Sequence, residues 1–385
     1  MSTRQSGRVA VIGTGESPYT RHSVPGTATR DVLADAVVRA LADAGLRPGD
    51  VDGFGVASFT LGPDHAVDLA WRLGLRLSWL MQDTNGGASA GGMLQHAVRA
   101  VESGDASVIV LVAGDAMDGA AHERLVRTYN RATVDHLAPL PITGPNTLFA
   151  MLTQRQMTQC GLDREDYGRL VVAQRAWAAG NPGAVYRTPM TLQEYLDAPV
   201  VAPPLGRYDC VPPVTGADAV VVAAEERAAG RHARVLAVTT VYNADDQRGD
   251  GLRTGVADCA PAAWQQSGVE PTDVDVVGVY DDYPAMVVAQ LCDLGLVPDH
   301  RSLPAFIAEQ VATRRLPVNT SGGQLSAGQP GAGGGMHGLV EVVQQLRGRA
   351  GANDVGARLG VVSGYGMVLY RHGSCGNVAV LEAAA

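Results

Sequence analysis

The sequence predicts an α/β fold of two homologous halves with a segment inserted between them. Three observations carry this. The stretch Ala44-Gly45-Leu46-Arg47-Pro48-Gly49-Asp50-Val51-Asp52-Gly53-Phe54-Gly55-Val56 returns downstream as Ser267-Gly268-Val269-Glu270-Pro271-Thr272-Asp273-Val274-Asp275-Val276-Val277-Gly278-Val279. A looser pair follows in the same order. Asn85-Gly86-Gly87 opens a small-residue helix ahead of an apolar strand at 108–112, and a glycine-rich stretch opens the helix Met336 to Leu346 ahead of a strand at 359–362. Between the copies, residues 119–213 break the pattern with prolines and polar turns.

The elements follow in order. Val9-Ala10-Val11-Ile12 reads as a first strand, and a helix over about 28–44 stops at Gly45 before a proline turn and a second strand. The inserted segment holds one clear helix-like run, Asp166 to Trp177. In the second copy a helix over about 254–267 stops at Gly268, a proline turn leads to the strand Val274 to Val279, and a helix runs from Ala285 to Leu294. The first half is expected to comprise 1–118 and 214–228, the insertion 119–213, and the second half 229–385.

Composition removes several function classes. The chain has 385 residues, 46% hydrophobic and 18% charged, ample for a large core. No apolar run reaches the roughly 18 residues that a bilayer span needs, and the N-terminal residues lack the apolar stretch of a signal peptide. A cytoplasmic protein without membrane contact is the expectation. A net charge of −9 argues against nucleic acid as a partner. The five cysteines are scattered and never spaced C-x-x-C, and no histidines show metal-ligand spacing, so no metal is expected in this chain. All 30 basic residues are arginine. Without a lysine, Schiff-base aldolases, pyridoxal enzymes and P-loop proteins are excluded. Gly13-Thr14-Gly15 has no third glycine in place for a dinucleotide fingerprint.

Several clusters qualify as a site. Tyr280-Asp281-Asp282-Tyr283 sits between a strand and a helix, where α/β sheets place their chemistry. One of the two acids is also suited to cap the helix. Gly86 to Gly92 keeps side chains away from a helix start, which suits either an oxyanion or the close packing of two helices at a dimer centre. Asn319 to Gly331 is too glycine-rich and polar for core. Tyr365 lies between Gly364 and Gly366 at the tip of two apolar strands, an unusual place for a packing residue.

Asn319-Thr320-Ser321-Gly322-Gly323-Gln324-Leu325-Ser326-Ala327-Gly328-Gln329-Pro330 resembles the N-T-x-G-G-x-L-S-x-G-H-P motif of the thiolase superfamily. Asn181-Pro182 through Leu192 resembles the loop domain of its lipid-transfer or sterol-carrier branch. The resemblance covers essentially the whole chain and implies a five-layer αβαβα arrangement, with 119–213 as the loop domain that contacts CoA. The family's catalytic groups do not carry over. Its nucleophilic cysteine aligns with Gly87, with Ala88 and Ser89 beside it, and its motif histidine is Gln329. Its second cysteine falls near Val362, its Gly-Gly-Gly turn has become Gly364-Tyr365-Gly366, and its asparagine falls within 280–283. Thiolytic Claisen chemistry needs those groups and is not expected.

What remains resembles the steroid side-chain-cleaving aldolases of the same superfamily. That implies retro-aldol cleavage of a 3-hydroxyacyl-CoA to a ketone and a short acyl-CoA such as propionyl-CoA. The thioester is the electron sink, so neither lysine nor cofactor is required. The expected proton carriers are Tyr365 with Tyr283 or Tyr280, and Asp281 or Asp282 as an alternative base or orienting group. Gly87 and Gly364 are expected to supply oxyanion N–H groups, with Ser89, Gln329 and Asn319 at the thioester. The resemblance further implies a homodimer assembled with a small OB-fold, zinc-bearing partner. Two rival functions stay open: a cysteine-less acyltransferase using Ser89 or a second thiolase-like subunit, and a non-catalytic acyl-CoA or lipid-binding protein.

Overall fold

The structure is a computed structural model that describes residues 8–62, 65–117, 119–128, 135, 137, 139–140, 144–244, 252–369 and 372–385. The chain opens with β1 (Val9–Glu16), α1 (Thr29–Ala44), β2 (Gly53–Ala57), α2 (His65–Arg72), β3 (Trp79–Asp83), α3 (Ser89–Ser103) and β4 (Val108–Asp115). There follow α4 (Gly119–Thr128), α5 (Gly144–Cys160), α6 (Arg164–Ala178), α7 (Leu192–Leu196) and a small hairpin of β5 (Val200–Ala202) and β6 (Leu205–Gly206). The rest is β7 (Gly216–Ala224), β8 (His232–Val241), α8 (Val256–Ser267), β9 (Val276–Val279), α9 (Pro284–Asp293), α10 (Leu303–Phe306), α11 (Gly323–Ala327), α12 (Gly334–Leu346), β10 (Leu359–Leu369) and β11 (His372–Ala384).

The sequence repeat is a repeat of backbone chemistry. Helices α1 and α8 both end on a glycine in the left-handed region, Gly45 at φ 70° and Gly268 at φ 69°. Each is followed by a one-turn proline helix, Pro48–Asp50 or Pro271–Asp273. The second aspartate of each copy then ties the next strand. Asp52 accepts from the N–H groups of Ser107 and Val108, and Asp275 from those of Arg358 and Leu359.

The strands join into one nine-stranded sheet in the order β3-β2-β4-β7-β1-β8-β11-β10-β9. Within it, β2 runs parallel to β4 and β9 parallel to β10, while β7 and β11 are antiparallel to their neighbours. Reading outward from the short β1–β8 contact, the two sides repeat one order. A bridge between Val277 and Val318 stands where β3 pairs with β2 on the other side.

Alternate residues of each strand serve different layers. Val108, Val110 and Val112 of β4 face a core with α1 and α2, whereas Ile109 and Leu111 face a core shared with α3 and α12. Across the molecule, Ala379 and Leu381 of β11 face that same central core. Val378 and Val380 face a third core with α5, α6, α8 and α9. The two sides of the one sheet thus lie on opposite faces of the central core, so that helices, sheet side, helices, sheet side and helices alternate in the five-layer arrangement. No helix among the described residues is long and apolar enough to cross a membrane.

One expectation changes. Gly364-Tyr365-Gly366 is not at a strand tip and is not a turn. It lies inside β10, opposite Asn377, Gly376 and Cys375 of β11. The two glycines follow from crowding rather than turning: a Cβ on Gly366 would lie 2.0 Å from the Asn85 carbonyl oxygen.

Candidate active site

β9 ends at Val279, and the chain enters α9 through Tyr280 to Tyr283, with Pro284 at the first helical position. Tyr280 is fixed first by its backbone. Its N–H donates to Ser363 O of β10 at 3.1 Å, and its carbonyl accepts from Gln290 Nε2 of α9 at 2.6 Å. Tyr365 comes in from β10. The two rings meet edge to face, with centroids 5.2 Å apart and planes at 85°. Tyr365 Oη donates to Asp282 Oδ1, and Tyr280 Oη accepts from Gln329 Nε2 at 2.9 Å. Tyr280, Tyr365, Asp282 and Gln329 thus form one polar cluster.

Gly87 sits against this cluster, and nothing larger fits. A Cβ there would lie 2.4 Å from Tyr280 Cε2 and 2.4 Å from the Tyr365 carbonyl oxygen. The tyrosine ring occupies the space that a side chain at position 87 would need. A Cβ on Gly364 would lie 2.5 Å from the Gly87 oxygen, so the two glycines meet backbone to backbone. Beside them is a small cavity with room for about one water, walled by Tyr280, Asp281, Asn319, Ser321 and His337.

Other expected residues have different engagements. Asp281 accepts from Gln324 N at 2.9 Å, Leu325 N at 3.3 Å and Gln174 Nε2 at 2.8 Å, and so holds the start of α11. Tyr283 Oη donates to Asn146 Oδ1 at 2.7 Å, and its ring stacks on Phe149 at 4.1 Å. Ser89 Oγ donates to Asp83 Oδ1 at 2.6 Å in the protein interior. Asn319 accepts from Val279 N at 2.8 Å, while its Nδ2 is buried without a hydrogen-bond partner beside the cavity. Asn146, Gln174 and Gln290 were invisible to sequence reasoning: each is an ordinary polar residue in a helix, without motif or spacing.

Exposure, rather than proton affinity, separates the two acids. Burial pushes both carboxyls up to about 7, and for Asp282 the Tyr365 hydroxyl opposes that rise while the charge of Asp281 adds to it. Asp281 is buried and covered by donors, whereas Asp282 is only half-buried. Burial, then the neighbouring Asp282, drives the Tyr365 phenol well above its ordinary value. Tyr365 therefore keeps its proton at neutral pH, and Asp282 is the group poised to exchange one.

Comparisons with known proteins give the chain's family. Residues 237–378 match the thiolase C-terminal domain-like family model. The 17-hydroxy-3-oxo-4-pregnene-20-carboxyl-CoA lyase of Mycobacterium tuberculosis is 32% identical over 89% of this chain and 92% of its own length. The steroid side-chain-cleaving aldolase of Thermomonospora curvata is 30% identical over 89% and 91%. The solved Ltp2-ChsH2(DUF35) aldolase superposes with a TM-score of 0.86 at 28% identity, covering 98% of both chains. The chain belongs to the thiolase superfamily, in the family of the steroid side-chain-cleaving aldolases.

Proposed function

We propose that this protein is an acyl-CoA aldolase, a carbon–carbon lyase that cleaves the side chain of a steroid-type 3-hydroxyacyl-CoA. The products are a ketone and a short acyl-CoA such as propionyl-CoA. The observation that carries this reading is the Tyr365–Asp282 pair beside a glycine, where a thiolase would need its nucleophile.

The reaction runs as follows. Tyr365 Oη accepts the substrate's hydroxyl proton as it passes its own proton to Asp282. The carbinol oxygen collapses to a ketone, the Cα–Cβ bond breaks, and its electron pair enters the thioester as an enolate. Backbone N–H groups at Gly87 and Gly364 stabilise that oxyanion, with Asn319 and Gln329 orienting the thioester. Asp282 returns the proton through Tyr365 to Cα, so the protein ends as it began. No cofactor is needed, because the thioester takes the electrons. Tyr280 shapes the site with its ring and Gln329, and Asp281 and Tyr283 position the segment.

Two features support the wider assembly. The solved Ltp2-ChsH2(DUF35) aldolase is a two-protein neighbour, which fits a small OB-fold, zinc-bearing partner for this chain. Strand β3 is an outer strand of the sheet with Leu80 exposed, a surface suited to a homodimer. We further assign 119–213 as the CoA-contacting insertion; part of it (129–134, 136, 138 and 141–143) lies outside the described residues. The acyltransferase alternative is disfavoured by Ser89, whose hydroxyl is buried and committed to Asp83. Co-purification with an OB-fold partner, incubation with a steroid-type 3-hydroxyacyl-CoA and mass spectrometry test the proposal. Ketone and short acyl-CoA in equal amounts are expected. Bound but intact substrate overturns the proposal in favour of a binding protein.

A further inference from the structure

A second cluster lies behind the catalytic one, and the proposed reaction does not use it. Glu16 of β1 and Asp218 of β7 are directly opposite in the antiparallel ladder. Like charges in that relation repel unless something compensates them. Among the described residues, the only basic side chain within 4.0 Å of either acid is His337 of α12, whose Nδ1 lies 3.8 Å from Glu16 Oε1 and 4.0 Å from Asp218 Oδ2, and burial disfavours the charged imidazole that an ion pair would need. Tyr19 Oη donates to Asp218 Oδ2, yet Asp218 Oδ1 is buried with no hydrogen-bond partner.

We infer that Glu16, Asp218 and His337 form a divalent-cation site that ties the β1–β7 pair to α12. Their ligand atoms all lie within 4.8 Å of one another. Two donors about 2.1 Å from a shared ion can stand up to about 4.2 Å apart, so a small inward movement closes the set. The far ring nitrogen is held as metal-bound histidines require, with Nε2 2.8 Å from Ser321 Oγ, while Nδ1 faces the acids and lies 3.2 Å from Tyr19 Oη, a contact that an ion would replace. The imidazole favours Zn²⁺, the two carboxylates also suit Mn²⁺, and a histidine ligand disfavours the oxygen-seeking, tightly hydrated Mg²⁺. The Glu16 side chain is 38% exposed and gives an ion its way in. Sequence spacing could not show this site, because its ligands come from three distant elements.

The test uses the full chain, stripped with chelator and free of any zinc-bearing partner. Titration with MnCl₂ is followed by electron paramagnetic resonance, and thermal melts are recorded with and without the ion. One saturable Mn²⁺ per chain and a raised melting temperature are expected, with MgCl₂ giving neither. Asp218→Asn and Glu16→Gln should each weaken Mn²⁺ binding by about tenfold or more. Glu16→Gln, at the more exposed position, keeps the test meaningful if Asp218→Asn does not fold. The absence of saturable Mn²⁺ or Zn²⁺ binding to the folded wild-type chain overturns the inference and leaves protons as what reconciles the two acids. Binding that survives both substitutions overturns it as well.

Discussion

Replacing Tyr365 with phenylalanine keeps the ring that packs edge-on against Tyr280 and removes only Oη. That atom is the sole change between the proposed relay and a broken one, because it donates directly to Asp282. Tyr365 is 1% exposed, so solvent is poorly placed to replace the lost oxygen. General acid–base catalysis contributes about 10² to 10⁴ in rate, equivalent to about 3 to 5 kcal/mol of barrier, and that is the expected loss in kcat. KM should change little, since the hydroxyl works on the reacting proton. A second effect has a definite sign. The hydroxyl holds Asp282 down against its burial, so without it the Asp282 carboxyl rises above about 7. Residual activity should therefore move to higher pH. Steady-state release of short acyl-CoA across a pH series reads both effects. Wild-type kcat with an unshifted profile would refute the Tyr365–Asp282 relay.

Other outcomes follow from the same geometry. In the wild type, Asp282 must be ionised to accept a proton, so kcat/KM should climb with pH to about 7 and then level; Asp282→Asn should lose the rise along with the activity. Gly87→Ala places a Cβ 2.4 Å from the Tyr280 ring and should cost about 1–3 kcal/mol in denaturant unfolding while disordering the site. Ser89→Ala should leave turnover intact and cost about 1–3 kcal/mol of stability, because a buried hydrogen bond to Asp83 is lost. Asp281 is raised to about 7 in the folded chain, so the stability it contributes is full below the ordinary carboxylate range near 4. That contribution is lost as pH rises through about 7, and urea midpoints should fall over the same window.

The duplication was legible because each copy needs the same local chemistry. A left-handed glycine must end each helix, a proline starts each turn, and an aspartate must bind the first N–H groups of a neighbouring strand. These demands fix residue type at fixed spacing. The cluster at 280–283 was legible for a similar reason, as polar residues stood where a strand gives way to a helix. The division of labour within it was not. Asp281 and Asp282 are adjacent and chemically identical, and only the α11 backbone covering one of them separates their roles. Tyr365 was singled out from the sequence but placed at a strand tip, whereas it lies inside β10. Glycines beside a strand residue look alike whether the chain bends there or another backbone presses against it. Gln290, which clamps the Tyr280 carbonyl and accepts from Ser363 Oγ of β10, acts through contacts between separate elements and leaves no pattern in the sequence.

The most direct measurement is a reaction run in D₂O with the partner present, reading both the released acyl-CoA and the intact protein by mass spectrometry. Retro-aldol cleavage through an enolate predicts a ketone, a short acyl-CoA carrying one solvent-derived deuterium at Cα, and a protein of unchanged mass. A protein carrying an acyl adduct, or an acyl-CoA released without that deuterium, would contradict enolate reprotonation at this site.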